Sequence, residues 1–268
     1  MYLKLSDSLM SQTGLQSVES LETWSSLRDM MFSICQDLKR ASGQNSYKSK
    51  FEKLLEICHY YAVRASMLGE MTTFTDLTAK INVSLLRYTE VIPADKAFYE
   101  AGLSIRTLGG AYENMAYLFL NHYLDLVDAI EEKDATLVDY SSLEETDIPT
   151  EIPLPEKPYL SSSDHEEIKE WVLSVSVDKN IEQELVKDSR DVYEASLDNP
   201  DGSQAQPCIL TGYPILQNSV PFGSSGKAAN KVDWNKYLMT SKTSKNAEAF
   251  QNVQNFIAKW TGSSTTFG

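Results

Sequence analysis

The first half of the chain repeats apolar residues with the period of an amphipathic α-helix. Leu21, Trp24, Leu27 and Met31 show the three- and four-residue spacing that places side chains on one helix face. The spacing recurs between glycines and a proline, and it predicts five helices over about residues 16–41, 46–68, 72–91, 94–108 and 111–132. Short turns make neighbouring helices antiparallel, so the pattern predicts a mainly α chain, an α-solenoid of helical hairpins.

The hairpin over residues 97–126 carries the clearest repeat pattern. Small residues at Gly102 and Ala116 let two helices approach closely, and Phe98 and Phe119 fill the groove beside them. This combination resembles a degenerate tetratricopeptide repeat. We therefore interpret these four residues as packing residues of the repeat, and a ligand groove floored by them is the less favoured interpretation.

The helical period is lost between residues 131 and 160. Prolines in the stretch 147–159 exclude helix and predict an extended strap. Its apolar Ile148, Ile152 and Leu154 favour docking on the helices, and a flexible acidic linker is the alternative. Beyond the strap, the pattern predicts a helix from about residue 163 and an acidic helix over about 180–197.

The charge of the chain changes sign near residue 200. Residues 131–200 hold 20 acidic and 6 basic residues, whereas residues 201–268 hold 3 acidic and 6 basic residues. Asn199-Pro-Asp-Gly202 is a strong turn signal at the same place. We therefore predict helical hairpins over 1–140, the strap with two further helices over 141–200, and a small module over 201–268.

Composition narrows the classes of function. The formal net charge of −14 argues against nucleic acid as a main ligand. Residues 1–14 contain no apolar stretch of signal-peptide length and no apolar run is long enough to span a membrane, so we expect an intracellular protein. Its three scattered cysteines fit a reducing compartment. His165 lacks the second histidine of a zinc-protease helix, and no phosphate-binding loop occurs. No catalytic residue, metal site or cofactor is predicted.

Residues 207–261 predict a small unit of strands and helices. Strand-like pieces at Ile209–Leu210 and Val220–Phe222 are joined by glycine turns, and helices follow over about 228–240 and 246–261. The stretch resembles the start of a RING or U-box module. Zinc is not expected, because residues 201–268 contain one cysteine and no histidine. On that resemblance, the residues that hold the small α+β module together are Cys208, Thr211, Gly226, Trp234, Tyr237 and Trp260.

The same resemblance implies a recognition surface. Ile209, Leu210, Pro221 and Phe222 would contact ubiquitin or a ubiquitin-conjugating enzyme. The alternative is that Leu210 packs inside the module, because a domain of this size has little core to spare. The chain departs from the U-box pattern over residues 239–249, where the second loop that grips the enzyme is missing.

Six longer segments resemble the C-terminal part of a large subunit of the B-type intraflagellar transport train of cilia. They are CQDLKR (35–40), VSLLRYTEVIPADKAFYEAG (83–102), DLVDAIEE (125–132), ETDIPTEIPLP (145–155), TGYPILQN (211–218) and GKAANKVDWNKYLM (226–239). The resemblance implies a fragment that begins within a longer solenoid and acts as a non-catalytic scaffold in cilium assembly. It further implies B-complex subunits and ciliary cargo as partners, and the cilium or flagellum, the basal body and the cytoplasm as locations.

Two other functions stay open beside the scaffold. The module could recognise ubiquitin without catalysing a reaction. It could also be a U-box-type ubiquitin ligase, which has no catalytic nucleophile and works by positioning a charged conjugating enzyme.

Overall fold

The structure is a computed structural model, and it describes residues 20–41, 47–178 and 184–263. The described residues are mainly helical, with one two-stranded antiparallel sheet. The elements are α1 (Leu21–Arg40), α2 (Lys48–Ser66), α3 (Thr75–Leu85), α4 (Ala94–Arg106), α5 (Glu113–Glu132), α6 (Ser162–Asp178), β1 (Ser219–Pro221), β2 (Ala228–Asn230), α7 (Lys231–Thr243) and α8 (Ala247–Thr261).

The described residues form two compact units. The continuous unit comprises residues 82–204, and the discontinuous unit comprises residues 20–81 together with 205–263. The units thus group the first helices with the C-terminal residues, whereas the composition of the chain suggested divisions at residues 140 and 200. The continuous unit is strongly acidic, with 27 acidic and 9 basic residues in its sequence.

The hairpin of α4 and α5 is the centre of the continuous unit. Pro93 starts α4, where its missing N–H is not needed, and Lys133 ends α5 in the left-handed conformation. Phe98 and Phe119 are fully buried and meet edge to face with ring centroids 5.9 Å apart. Gly102 lies so close to Leu120 that a Cβ atom would come within 2.6 Å of its side chain. The hairpin therefore depends on small residues at the helix contact.

The strap lies on this hairpin. Ile148 is buried, and the backbone N–H of Tyr159 donates to Asp95 Oδ2 at 2.6 Å. At the start of the strap, Asp147 Oδ2 accepts the N–H of Leu197 at 2.9 Å. Of the apolar residues from which docking was expected, Ile148 is buried, whereas Ile152 and Leu154 are half-buried. The strap is therefore held by one buried side chain and by backbone hydrogen bonds.

The acidic helix predicted over 180–197 is wrong for residues 184–197, and residues 179–183 lie outside the described part. The segment is irregular, with an isolated bridge between Lys187 and Tyr193. Asp188 accepts the backbone N–H of Arg190 at 2.7 Å, and Arg190 donates to the carbonyl of Ser196 at 2.8 Å. Such local side-chain bonds offer the backbone an alternative to the helical ladder.

The discontinuous unit packs α1 and α2 against α8 and the short hairpin. The face of α1 that is buried differs from the predicted one: Leu27 is only half-buried, whereas Ser25 and Arg28 are buried. Arg28 can lie inside because its guanidinium carbon sits 4.0 Å from the centroid of the Phe256 ring. The sequence pattern therefore placed the apolar stripe about one residue out of register.

The first prediction concerns the close contact of α4 and α5. Gly102→Ala should lower the free energy of unfolding by about 1–3 kcal/mol, because the new methyl group overlaps the buried Leu120. Gly69→Ala is the matched control, since no atom lies within 4 Å of its Cβ position. Urea unfolding measures both. Equal midpoints for the two variants would contradict the close packing.

Candidate interaction site around the C-terminal hairpin

The turn that starts at Cys208 is held by hydrogen bonds. The N–H of Cys208 donates to the carbonyl of Tyr213 at 2.8 Å, and its own carbonyl accepts the N–H of Gly212 at 2.7 Å. Cys208 Sγ is fully buried and accepts the backbone N–H of Asn230 at 3.3 Å. Thr211 is also fully buried. The turn is thereby fixed to the start of α7.

A two-stranded hairpin follows this turn. Ser219, Val220 and Pro221 pair with Asn230, Ala229 and Ala228, and Gly226 lies in the connecting loop at φ 73°. Asn230 caps α7 because its side chain accepts the N–H of Val232 at 2.9 Å. The two predicted helices are present, and α7 begins three residues later than expected. The predicted strand piece at Ile209–Leu210 is wrong, because these residues lie in the Cys208 turn, and β2 occupies the place where the first helix was expected to begin.

Three aromatic residues of the module face its interior. Phe222 and Trp234 are buried and meet edge to face with centroids 5.0 Å apart. Tyr237 is fully buried, and its hydroxyl lies 2.7 Å from Ser66 Oγ on α2. Trp260 is half-buried at the end of α8, with Lys227 Nζ 4.0 Å from its ring centroid. These side chains join the hairpin to α2, α7 and α8.

His59 on α2 closes the Cys208 turn. Its Nε2 lies 2.8 Å from the carbonyl oxygen of Ile209, and the side chain is fully buried beside Phe256 and Trp260. Nε2 therefore carries the proton and donates, which leaves Nδ1 buried without a hydrogen-bond partner. Burial is the main cause and the positive charge of Arg28 the second cause of the low pKa of His59, about 3. A second proton would have no acceptor there.

The predicted recognition residues are mostly in the core. Leu210 is 0% exposed, Ile209 4% and Phe222 2%, and only Pro221 of the predicted four is exposed. The expected exposure of Ile209, Leu210 and Phe222 is therefore wrong. The physical reason is that α2 and its His59 cover the turn. This contact could not be predicted from residues 201–268 by themselves. Whether this region binds ubiquitin stays a prediction.

Two ion pairs connect α3 with α7. Lys80 Nζ donates to Asp233 Oδ1 at 2.8 Å, and Asp233 is nearly fully buried. Lys236 Nζ donates to Asp76 Oδ1 at 2.5 Å. Because the partners are about 150 residues apart in the chain, no local pattern in the sequence pointed to them.

Sequence reasoning also missed the buried polar group on α1. Arg28 donates to Asn252 Oδ1 at 3.0 Å, and Ser25 Oγ donates to the same oxygen at 3.0 Å. Asn252 lies on α8, so these bonds fix α1 against the last helix. An arginine in an apolar helix stripe is the only signal the sequence offers, and it is a weak one because arginines usually lie outside.

A small cavity lies between α1, α2 and α8 in the discontinuous unit. Its volume is about 260 Å³. Its lining residues are Phe32, Cys35, Gln36, Lys39, Glu52, Leu55, Glu56, Lys227 and Trp260. Burial raises the pKa of the Cys35 thiol, so it is a poor nucleophile. Among the residues that the structure describes, no three histidine, cysteine or acidic side chains come together as a metal ion would need.

These observations define a mainly helical protein with a small hairpin-and-helix module. In the described helices, none is both long and apolar enough to cross a membrane. The chain is similar to intraflagellar transport protein 172 homolog of Mus musculus, with 45% identity over 270 residues that cover 99% of the chain. It is also similar to intraflagellar transport protein osm-1 of Caenorhabditis elegans, at 44% over 88% of the chain, and to intraflagellar transport protein 172 of Chlamydomonas reinhardtii, at 34% over 80%.

The chain thus corresponds to a segment of the intraflagellar transport protein 172 homologues, which confirms the resemblance drawn from its sequence. It spans about 15% of the length of these curated relatives. No protein-family model matches it.

The second prediction concerns His59 and pH. Its pKa in the folded protein, about 3, is below the unfolded value near 6.5, so the unfolded chain binds the proton first. Stability from the neutral histidine is therefore complete above about pH 6.5 and falls as the pH decreases. Between pH 6.5 and 5 the loss should be about 1.5 kcal/mol.

Urea unfolding followed by tryptophan fluorescence measures this loss, because three of the four tryptophans lie in the discontinuous unit. His59→Gln keeps a donor for the Ile209 carbonyl and removes the titration. The variant should therefore show a flatter dependence on pH. Identical slopes for the two proteins would contradict the buried neutral histidine.

Proposed function

We propose that the chain is a non-catalytic scaffold segment of an intraflagellar transport subunit that is needed for cilium assembly. The similarity to intraflagellar transport proteins of three organisms over 80–99% of the chain is the observation that carries this proposal. Its place of action is the cilium or flagellum, with the basal body and the cytoplasm as further sites. Its helical hairpins act as degenerate tetratricopeptide repeats of a solenoid, which presents a large surface to partners.

The polar chemistry of the continuous unit supports a structural role. Its charged side chains are bound within the unit: buried Asp95 accepts from the backbone N–H of Tyr159, and half-buried Asp147 accepts from that of Leu197. Half-buried Arg190 pairs with the carboxylate of Asp188 at 2.7 Å. Burial raises the pKa of Asp95 and Asp147, and their backbone hydrogen bonds oppose that rise. These hydrogen bonds hold the strap and the nearby turns in place. Other subunits of the B complex and ciliary cargo are the proposed partners, bound through the exposed acidic surface.

The third prediction tests the scaffold role in cells. A chimaera is made from the Mus musculus relative by replacing its matching segment with this chain, which is 45% identical to it. In cells that lack the mouse protein, the chimaera should restore cilia. A chimaera with Ala116→Glu should fail, because it buries a charge in the α4–α5 contact.

Glu145→Gln is the matched control, since Glu145 is exposed and its substitution leaves the fold intact. Cilium frequency and length are measured by microscopy. A mouse protein that lacks the whole segment and still restores cilia would contradict a scaffold role for this part of the protein.

Recognition of the ubiquitin system is a second candidate function. The order of the secondary-structure elements favours this function. A turn at Cys208 is followed by a short hairpin and then by α7 and α8, which is the order of a U-box-like module. Because Ile209 and Leu210 are buried, binding would use Pro221 and its exposed surroundings, or would require α2 to move away from the turn. Both conditions predict weak binding.

The fourth prediction tests this candidate by titrating the chain into ¹⁵N-labelled ubiquitin. Weak contact should give gradual shifts with a Kd on the order of 0.1–1 mM. Pro221→Glu should abolish the shifts without changing the melting temperature, because its side chain is exposed.

The ligase alternative has its own readout. Self-ubiquitination with activating and conjugating enzymes requires the module to position a charged enzyme, which binding to ubiquitin does not. Absence of shifts together with absence of self-ubiquitination would leave the module as a structural end to the helices.

A further inference from the structure

Four large apolar side chains stand out by their exposure. Among the described residues, the large hydrophobic side chains that are more than 60% exposed are Leu173, Val177, Val232 and Met239, at 64%, 75%, 69% and 65%. Single exposed apolar residues are common on protein surfaces. These four, however, fall on only two helices, with one pair on α6 and one pair on α7. That distribution indicates two surfaces rather than scattered exceptions.

The pair on α6 belongs to an acidic stripe. Glu166, Glu170, Leu173 and Val177 are all exposed and lie within about a quarter of the helix circumference. The opposite face, which includes Ile168 and Val172, is buried in the continuous unit. We call these four exposed residues the acidic stripe.

The pair on α7 belongs to a basic stripe. Val232, Asn235, Met239 and Lys242 are exposed and also share one side of their helix. Exposed Lys231 and Lys245 lie close to its two ends. The buried face of α7 is different and contains Trp234 and Tyr237. We call the four exposed residues the basic stripe.

We propose that the acidic stripe of one copy of this chain docks on the basic stripe of a second copy. Glu166 and Val177 are separated by the same number of residues as Lys231 and Lys242, which is about 16 Å along a helix. Laid antiparallel, the Val177 end of one helix meets the Val232 end of the other, and Glu166 reaches Lys242. In the parallel arrangement the glutamates would face Val232, so the antiparallel one is preferred.

The charge of each surrounding unit supports this pairing. The continuous unit has 27 acidic and 9 basic residues, whereas residues 20–81 and 205–263 together have 9 acidic and 14 basic residues. Unlike surfaces attract and like surfaces repel, so two acidic stripes or two basic stripes would not pair. The contact is therefore heterologous: each copy offers one surface of each kind, and a row of copies can form.

The area of two such stripes is small, so the association is weak, with a Kd on the order of 10–100 µM. Sedimentation of the whole 268-residue chain over about that range of concentration should show mass that increases with concentration. Leu173→Asp removes the acidic stripe and Met239→Asp removes the basic stripe. Each variant alone should be monomeric, because each lacks one of the two surfaces. Both positions are exposed, so the fold should persist, and circular dichroism checks this.

The decisive sample is the mixture of the two variants. Leu173→Asp keeps a basic stripe and Met239→Asp keeps an acidic one, so together they should form a one-to-one dimer and nothing larger. A charge reversal gives an independent check: Lys242→Glu should weaken self-association of the wild-type chain about tenfold, and Glu166→Lys in the same chain should recover most of the loss. A wild-type chain that stays monomeric would overturn the proposal. So would variants that associate like the wild type, or a mixture that remains monomeric.

Discussion

The hydrogen bond between His59 and the carbonyl of Ile209 is the contact on which the discontinuous unit most depends. It joins positions 150 residues apart and is fully enclosed by aromatic rings. A buried carbonyl without a donor costs free energy, and so does a buried imidazole without an acceptor. Each group satisfies the other only if α2 lies on the Cys208 turn. The ion pair of Lys80 and Asp233 and the contact of Ser66 with Tyr237 extend the same attachment.

This attachment changes how the C-terminal residues should be understood. A module of about 60 residues buries too little apolar surface to be very stable by itself. Here the N-terminal residues supply that surface: Phe32 on α1 meets Phe256, and Phe74, just before α3, lies beside both Tyr237 and Phe250. The same contacts place Leu210 in the core. The contacts that stabilise the C-terminal residues therefore also bury the Cys208 turn. This burial weighs against strong binding at that turn.

Helix positions could be predicted from the sequence because their signal is local. Periodic apolar residues and the breaks at Gly69 and Pro93 predicted most helices to within a few residues. Prediction failed where a local or distant contact overrode the pattern. Asp188 and Arg190 form a turn in place of a helix, and the stripe of α1 is out of register because Arg28 stacks on Phe256.

The candidate site was harder to predict for the same reason. Cys208, Trp234 and Tyr237 were chosen on the resemblance to a U-box module, and all three are buried. That they hold a U-box-like module together stays a prediction. Nothing in residues 201–268 indicates that His59 will bind the carbonyl of Ile209 in the Cys208 turn. Contacts between residues about 150 positions apart depend on the whole fold, and they cannot be predicted from the local pattern of a single sequence.

The most direct test of this account compares residues 205–263 alone with the same residues in the whole chain, by ¹⁵N–¹H NMR. If α1 and α2 complete the core, the isolated segment should give the narrow spectrum of an unfolded chain, and adding residues 15–81 as a separate peptide should restore dispersed signals. A dispersed spectrum of the isolated segment that overlays the signals of the whole chain would contradict the account.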